Sequence, residues 1–427
     1  MEIKDIHEVF LKSAGVSIDT RKIHRDSLFV AIKGERFDAN TFAKEALEKG
    51  AAAVIIDNQE YYIDQRTILV SDSLKALQEL AQYHRDFLNV PIIALTGSNG
   101  KTTTKELINI VLSRKFRTKA TVGNLNNHIG VPLTILSFDK TTEIGIVEMG
   151  ANHQKEIEFL CRIARPDYGY ITNFGKAHLE GFGGVEGVIK GKSEMYDYLQ
   201  AHDKTAFINL DDPIQKQKGE NLTSYTFAVN NAEADVNIES ASANPFVEIG
   251  CNGTTIKSNL IGAYNSNNIN AAVAIGKYFG VSDQQIKNAI EAYEPDNNRS
   301  QILTKGSNEI ILDAYNANPS SMAAALENFF NLEKPNKVAV LGDMFELGDD
   351  SLSEHRNILL MASPQKNIAF YWVGKDFTVN RMSLPNMHFF ASFDDFSEHW
   401  KQNLPEKSTI LIKGSRGMAL ERTLDFF

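Results

Sequence analysis

Cysteine is nearly absent from this 427-residue chain, which carries only Cys161 and Cys251. Two thiols cannot build a disulfide framework, and their positions match no metal-ligand spacing. Both read as buried, small apolar side chains in a reducing compartment. A surplus of positive charge is missing too. The 44 Lys and Arg stand against 54 Asp and Glu, a net charge of −10, which argues against a nucleic-acid partner, because that needs a broad basic face. Small anionic ligands stay open, since one phosphate needs only a local set of donors. No apolar run approaches bilayer length, so no membrane partner is expected. The opening Met1-Glu2-Ile3-Lys4-Asp5 lacks the basic-then-apolar pattern of a leader. Fixed-period repeats and low-complexity tracts are also absent. The chain reads as globular and cytoplasmic.

What is present is enough apolar residue for several cores. Hydrophobic residues are 43%, and at roughly 150 residues per domain the length suggests three. From residue 1 to 88, short apolar runs such as Leu28 to Ile32 and Ala52 to Ile56 alternate with helical patterns, the texture of a small α/β domain. Asn89-Val90-Pro91 marks a boundary, because proline disfavours a continuing helix. A second stretch, 89–298, repeats strand and helix through Pro91 to Thr96, Ile144 to Val147 and Tyr168 to Thr172, which predicts a mostly parallel sheet flanked by helices. Between about Ala206 and Leu260 the runs shorten and alternate, with Val236 to Ile238 among them, predicting antiparallel hairpins at the sheet edge. Glu294 to Arg299 reads as a second linker. The third stretch, 299–427, predicts strands at Ile310 to Asp313, Lys337 to Gly342, Ala369 to Gly374 and Thr409 to Lys413. The fold class is thus α/β with three domains.

The strongest chemical motif is Thr96-Gly97-Ser98-Asn99-Gly100-Lys101-Thr102-Thr103, a strand-to-helix turn of the phosphate-binding kind. Leu95 stands where the longer G-x-x-x-x-G-K-[ST] form has its first glycine. The physics survives this change. Gly97 and Gly100 let backbone N–H groups approach phosphate oxygens, and the following helix adds its positive end. Lys101 would offset phosphate charge, and the Thr102 hydroxyl would hold Mg²⁺. Glu148 ends the apolar strand Ile144 to Val147, where ligands bind in open α/β sheets, and a carboxylate there suits a hard cation. His178 follows another strand; from the residues alone, a surface or satisfied core histidine is the commoner reading, with a functional role the alternative. Lys190 and Lys192 read as a solvated helix face, and composition does not separate them. Three further strand-end loops carry polar residues: Asp313 to Met322, Leu341 to Gly348 and Lys413 to Met418. Together they suggest a second ligand surface.

With these residues assembled, the chain resembles the Mur ligase family, the ATP-dependent amide-forming enzymes of peptidoglycan precursor synthesis. The resemblance runs over nearly the whole chain. Gly123 to Thr134, Tyr315-Asn316-Ala317-Asn318-Pro319, Leu341-Gly342-Asp343-Met344 with Glu346-Leu347-Gly348, and Lys413-Gly414-Ser415-Arg416 are most similar to the dipeptide-adding branch. The resemblance implies a small α/β uridine-nucleotide domain, a central phosphate-loop domain and a Rossmann-like C-terminal domain. It implies joining of D-alanyl-D-alanine to UDP-N-acetylmuramoyl-tripeptide through an acyl phosphate, by a cytoplasmic monomer.

The site residues it implies are these. Gly97, Ser98, Asn99, Gly100, Lys101, Thr102 and Thr103 would bind the ATP phosphates, with Asn265 and Asn268 near the adenine and Arg299 and Asp313 approaching the nucleotide. Thr102 and Glu148 would hold one Mg²⁺, and His178 with a carbamylated Lys192 a second, Lys190 being the fallback. Lys101, Glu148, His178 and Lys192 would be the catalytic set. Ser17, Asp19, Thr20, Arg21, Lys33, Gly34, Phe37, Asp38 and Asn40 match the region that holds uridine diphosphate, and Asn126, Asn127, Tyr315, Asn316 and Asn318 would meet the other substrates. Thr20, the Asp38-Ala39-Asn40 run and Tyr264 depart from the commoner family residues. Competing readings are another amide ligase of the superfamily, acting with a single amino acid or on folate, a plain kinase, and a regulatory nucleotide-binding module.

Overall fold

A computed structural model of the chain describes residues 1–427. The first layer is a sheet of four parallel strands, Val16–Ser17, Leu28–Val30, Ala53–Ile56 and Thr67–Leu69, lying side by side in chain order. Its middle strands are apolar on both faces because both are covered. Phe29, Val54 and Ile56 meet the helix Ala43–Glu48 on one side. On the other, Leu28, Val30 and Ile55 share a core with Phe10 and with Leu77 and Leu80 of the helix Ser73–Leu88. That helix starts on Asp72, whose side chain accepts from the Lys75 amide. It ends on Asn89 in the left-handed region at φ 51°, a conformation asparagine tolerates, with Pro91 close behind.

The central sheet has seven parallel strands in the spatial order Val236–Ile238, Ser224–Val229, Thr205–Asn209, Tyr168–Ile171, Ile92–Thr96, Ile144–Glu148 and Thr118–Ala120. After Ile92–Thr96 the chain first builds the strands on one side, then crosses to build those on the other. The carboxyl end of Ile92–Thr96 is therefore the topological switch point, where open α/β sheets leave a crevice.

Two sequence expectations are corrected here. Val236–Ile238 is not part of a hairpin: it pairs parallel with Ser224–Val229, Phe227 opposite Val236. The overlap is only three residues, so the short return through 230–235 suffices, and Asp235 pins it by accepting from the amide and hydroxyl of Thr226. The antiparallel strands are Ser240–Ala243, Phe246–Cys251 and Thr254–Ile261, and they form a sheet of their own rather than an edge of the central one.

The C-terminal sheet runs Gln301–Lys305, Asn308–Asp313, Thr409–Lys413, Lys337–Gly342, Ile368–Val373 and Met387–Phe390. Only the first strand is antiparallel, through a hairpin with the second that turns at Gly306 (φ 57°). The outer strands Gln301–Lys305 and Met387–Phe390 are additions to the four read from the sequence. Thr409–Lys413 lies between Asn308–Asp313 and Lys337–Gly342, so this sheet too has a switch point, at Asp313 and Lys413. Both cysteines are buried and free, and burial pushes the Cys161 thiol upward. No helix is long and apolar enough to cross a membrane.

Candidate active site

The two switch points face each other across a cavity of about 780 Å³. On the central side its floor is the turn from Ile92–Thr96 into the helix Lys101–Leu112. Gly100 is the helix N-cap with φ 79°, and a Cβ there would sit 2.5 Å from Asn268 Oδ1. Gly97 has φ 140°, and a side chain there would run into Thr172. Both positions thus require glycine. Ser98 donates to the Gly175 carbonyl at 2.6 Å. Lys101 Nζ folds onto its own loop, donating to the carbonyls of Gly97 (2.7 Å) and Ser98 (3.3 Å). Burial lowers its pKa; Glu148 opposes that shift, and Arg299 adds to it. An incoming polyphosphate would exchange those two carbonyls for phosphate oxygens. Thr102 and Thr103 are buried just behind and also line the cavity.

Glu148 is 1% exposed, at the end of the adjacent strand. One carboxylate oxygen accepts from Asn126 Nδ2 at 2.7 Å, while Oε2 is buried with no partner. A buried charge with an unused lone-pair face is costly, and a cation would relieve it. No group of three or more His, Cys, Asp and Glu comes together as a ready metal cage. That fits Mg²⁺ rather than excluding it, because Mg²⁺ takes one or two protein oxygens and fills its shell with water and phosphate. Asn127 turns its carbonyl oxygen to the amides of Ile129 and Gly130, capping the helix Gly130–Leu136.

His178 lines the same cavity in a left-handed conformation, φ 52°, and its Nδ1 pairs with Glu346 from the C-terminal domain. That contact with His178, against the pull of burial, holds Glu346 below the usual carboxylate range. Lys190 is exposed, whereas Lys192 is fully buried, which corrects the reading of both as a solvated face. Lys192 Nζ donates to the Ala151 carbonyl at 3.2 Å and lies 5.0 Å from the Phe182 ring centre. Burial first, then the charge on Lys101, drives its pKa well below that of a free lysine. It lies behind Ala151, which lines the cavity where Lys192 does not.

The facing wall comes from the linker and the C-terminal sheet. Asp313 accepts from the Ser300 amide (3.2 Å) and from buried Lys413 Nζ (2.6 Å). The Arg299 guanidinium stacks 3.6 Å over the Tyr315 ring, with Arg416 at 5.6 Å. Asn316 Oδ1 accepts from the Ala317 amide, and Asn318 caps the helix Pro319–Asn331. Asn265 and Asn268 join this wall to the loop: Asn268 Nδ2 donates to Asn265 Oδ1, and its own Oδ1 accepts from Thr104. The expectation of three ligand-facing C-terminal loops is corrected to two. In the loop 341–348, Asp343 accepts from the amides of Asp376 and Phe377, capping a helix instead, while Glu346 pairs with the central domain's His178 and its carbonyl accepts from the Glu180 amide.

The first-domain residues stand apart from this cavity. Ser17, Asp19, Thr20 and Arg21 follow one strand, and Lys33, Gly34, Phe37, Asp38 and Asn40 follow its parallel neighbour, so both loops share one sheet edge. Asp19 grips Arg21, Lys33 bridges to Asp38, and Phe37 is 58% exposed, stacked on Phe42. Asn40 is fully buried and its amide is spent on Asp38 and Asp57, so it holds the loop's shape and offers nothing outward.

Some residues of the site escaped sequence reasoning. Thr172 and Asn173 clamp the backbone of Asn99. Glu106 accepts from Tyr293 and Asn297, tying the second linker to the phosphate-loop helix. Strand-end position was the available cue for the first two; Glu106 gave none, being one glutamate in a helix.

Three family models match the chain: the Mur ligase family catalytic domain at residues 12–85, the Mur ligase middle domain at 95–276 and the Mur ligase glutamate ligase domain at 298–416. The chain is 34% identical to the UDP-N-acetylmuramoyl-tripeptide–D-alanyl-D-alanine ligase of Bacillus subtilis, over 95% of this chain and 91% of that one. To the Escherichia coli protein of the same name it is 33% identical, over 96% and 92%. Among solved structures, MurF from Acinetobacter baumannii aligns with a TM-score of 0.86 at 29% identity, covering 99% of this chain and 97% of that one. The MurF ligase from Thermotoga maritima, in complex with ADP, aligns with a TM-score of 0.84 at 26% identity, covering 98% and 97%. The chain belongs to the Mur ligase family.

Proposed function

We propose that this protein is an ATP-dependent ligase that joins D-alanyl-D-alanine to UDP-N-acetylmuramoyl-tripeptide. The observation that carries the reading is the phosphate loop set beside the unpartnered Glu148 oxygen, in a cavity closed by C-terminal loops. The full-length likeness to ligases of that name supports the substrates. Three domains suit three substrates: residues 1–88 for the uridine nucleotide, 89–298 for ATP and 299–427 for the dipeptide.

In the proposed reaction, an oxygen of the tripeptide's terminal carboxylate attacks the γ-phosphorus, and the bond to the β-phosphate oxygen breaks, releasing ADP. The dipeptide amine then adds to the acyl carbon. The tetrahedral adduct expels inorganic phosphate and the nitrogen gives up a proton, leaving an amide. Lys101 and the loop amides hold the phosphates, and Arg299 and Tyr315 border the nucleotide. Asn126 fixes Glu148, and Asn127, Asn316 and Asn318 shape the walls against which carboxylate and amine are brought together. Mg²⁺, held by Thr102 and Glu148, with a second ion at His178, would neutralise the repulsion between carboxylate and triphosphate. Lys192 as an amine offers no oxygen to that second ion. Its depressed pKa favours the neutral form that adds CO₂ to become a carbamate, which would supply one. The protein acts in this reading as a cytoplasmic monomer.

The test is phosphate release from ATP with Mg²⁺ and the UDP-tripeptide, offering D-alanyl-D-alanine or single amino acids. Release with the dipeptide alone, and a product heavier by the dipeptide less water, is the expected result. Release only with a single amino acid would move the chain to another branch of the family. Activity lost in CO₂-free buffer and restored by bicarbonate would support the carbamate; indifference to bicarbonate would count against it.

A further inference from the structure

We propose that Asn99 is a positioning residue that latches the phosphate loop to the C-terminal domain, so that occupancy of the loop is transmitted as domain closure. The inference rests on the ligase reading and adds to it the residue that couples the two events. Asn99 is gripped from two sides. Its backbone belongs to the central domain: the N–H donates to Asn173 Oδ1 at 3.1 Å, and the carbonyl accepts from Thr172 Oγ1 (2.5 Å) and Asn173 Nδ2 (3.0 Å). Its side chain belongs to the other. Oδ1 accepts from Asn318 Nδ2 at 2.7 Å, and Nδ2 donates to Ser320 Oγ at 3.1 Å.

The direction of these bonds is fixed by the network. Asn318 commits its Oδ1 to the Ser321 amide as a helix cap, at 2.9 Å. Only its Nδ2 is left for Asn99, which must therefore present Oδ1 to Asn318 and Nδ2 to Ser320. Both polar atoms of the Asn99 amide are thus spent on the first turn of Pro319–Asn331, and none is left for phosphate. The contact is also tight. A Cβ at Gly175 would lie 2.6 Å from Ser320 Oγ and 2.9 Å from Asn99 Nδ2. Other bridges cross the same cleft: Lys176 to Glu354 at 2.6 Å, His178 to Glu346, the Glu180 amide to the Glu346 carbonyl at 3.3 Å, and Ser320 Oγ to the Lys176 carbonyl at 3.5 Å. Among the central-domain residues that make these bridges, Asn99 alone lies in the turn that wraps the phosphates, between Gly97 and Gly100. Any shift of that turn moves the seat of the C-terminal helix directly.

The test compares the full chain with Asn99→Ala, Ser320→Ala and the double variant. Asn99→Ala keeps every main-chain bond of the loop, so it isolates the latch. Three quantities are read: the Kd of Mg·ADP for the enzyme alone, kcat and dipeptide KM, and compaction by small-angle scattering when Mg·ADP binds. We expect the Kd within about threefold of wild type, kcat reduced about tenfold, and no compaction in Asn99→Ala. The loss in the double variant should fall short of the sum of the two single losses, because Asn99 and Ser320 share a contact. Equal losses in ADP affinity and kcat would overturn the latch, since they would make Asn99 a phosphate contact. Unchanged kcat, intact compaction or additive losses would overturn it as well. If wild type releases no phosphate with the dipeptide, the ligase reading fails. The scattering result, which needs only ADP, still decides the latch.

Discussion

Replacing Asp313 with asparagine strands a buried cation, and the cost can be worked from the structure. Lys413 is 2% exposed and its Nζ lies 2.6 Å from Asp313 Oδ2. At that separation the attraction is about 6 kcal/mol for an effective dielectric of about 20, most of which offsets desolvation of the two charges. In Asp313→Asn the desolvation of the lysine stays and the attraction goes. The loss has a ceiling, because the lysine can release its proton. At about pH 7.5 that costs about 1.4 kcal/mol for each of the roughly three pH units below a free lysine's pKa, or about 4 kcal/mol. A deficit of about 2–4 kcal/mol is expected, overlapping the roughly 3–5 kcal/mol lost when buried pairs are broken. The readout is clean, because the chain's two tryptophans, Trp372 and Trp400, are both buried in the C-terminal domain. Tryptophan fluorescence in urea therefore follows this domain alone, and the midpoint should fall by about 1–2 M. A deficit below about 1 kcal/mol would refute the reasoning.

The fold was legible wherever one face or one strand carried its own instructions. Apolar runs such as Ile144 to Val147 and Val338 to Leu341 are buried on both sides, and the sequence shows that as unbroken hydrophobicity. The phosphate loop was legible because its geometry demands glycines and its chemistry a Lys-Thr pair. Val236–Ile238 was misread because alternation reports burial of one face, not the direction of the neighbouring strand. The outer strand Met387–Phe390 was missed because a short edge strand owes its state to its partner Ile368–Val373. Lys192 escaped for a different reason. Glycines at 187 and 191 let Phe182 close against the helix, and that closure, not the lysine, turns an apparently solvated position into a buried one. Asp343 stands in the sequence as Glu148 does, a carboxylate at a strand end, in one of the three loops read as a ligand surface. Only the tertiary structure shows that a helix N-terminus satisfies the first and nothing satisfies one oxygen of the second.

Glu148→Gln should abolish phosphate release, by about 1,000-fold or more, while leaving stability within about 1 kcal/mol, because the amide oxygen can still accept from Asn126 and a neutral group replaces an unpartnered buried anion. A phosphate-release assay checks the first half and thermal melts with and without Mg·ADP the second; a variant still stabilised by Mg·ADP as strongly as wild type would sink the metal assignment. The last prediction concerns His7 and His84, where the N-terminal domain meets the central one. His84 Nε2 lies 2.9 Å from the Phe138 carbonyl and Nδ1 3.0 Å from His7 Nε2. A carbonyl only accepts, so His84 carries its proton on Nε2 and receives one from His7, and the native pair is neutral. Burial, then the neighbouring His84, pushes His7 down to about 4. The unfolded chain takes that proton near pH 6.5, so this contribution to stability is complete above about pH 6.5 and fades as the pH falls towards 4. Allowing for partial solvation the loss amounts to about 2 kcal/mol. Protection factors for amide exchange in the helix Ile3–Leu11, which discount the slower intrinsic exchange in acid, should fall over that window, and His7→Leu should flatten their pH dependence. An unchanged profile in His7→Leu would mean that acid loosens this contact through other groups.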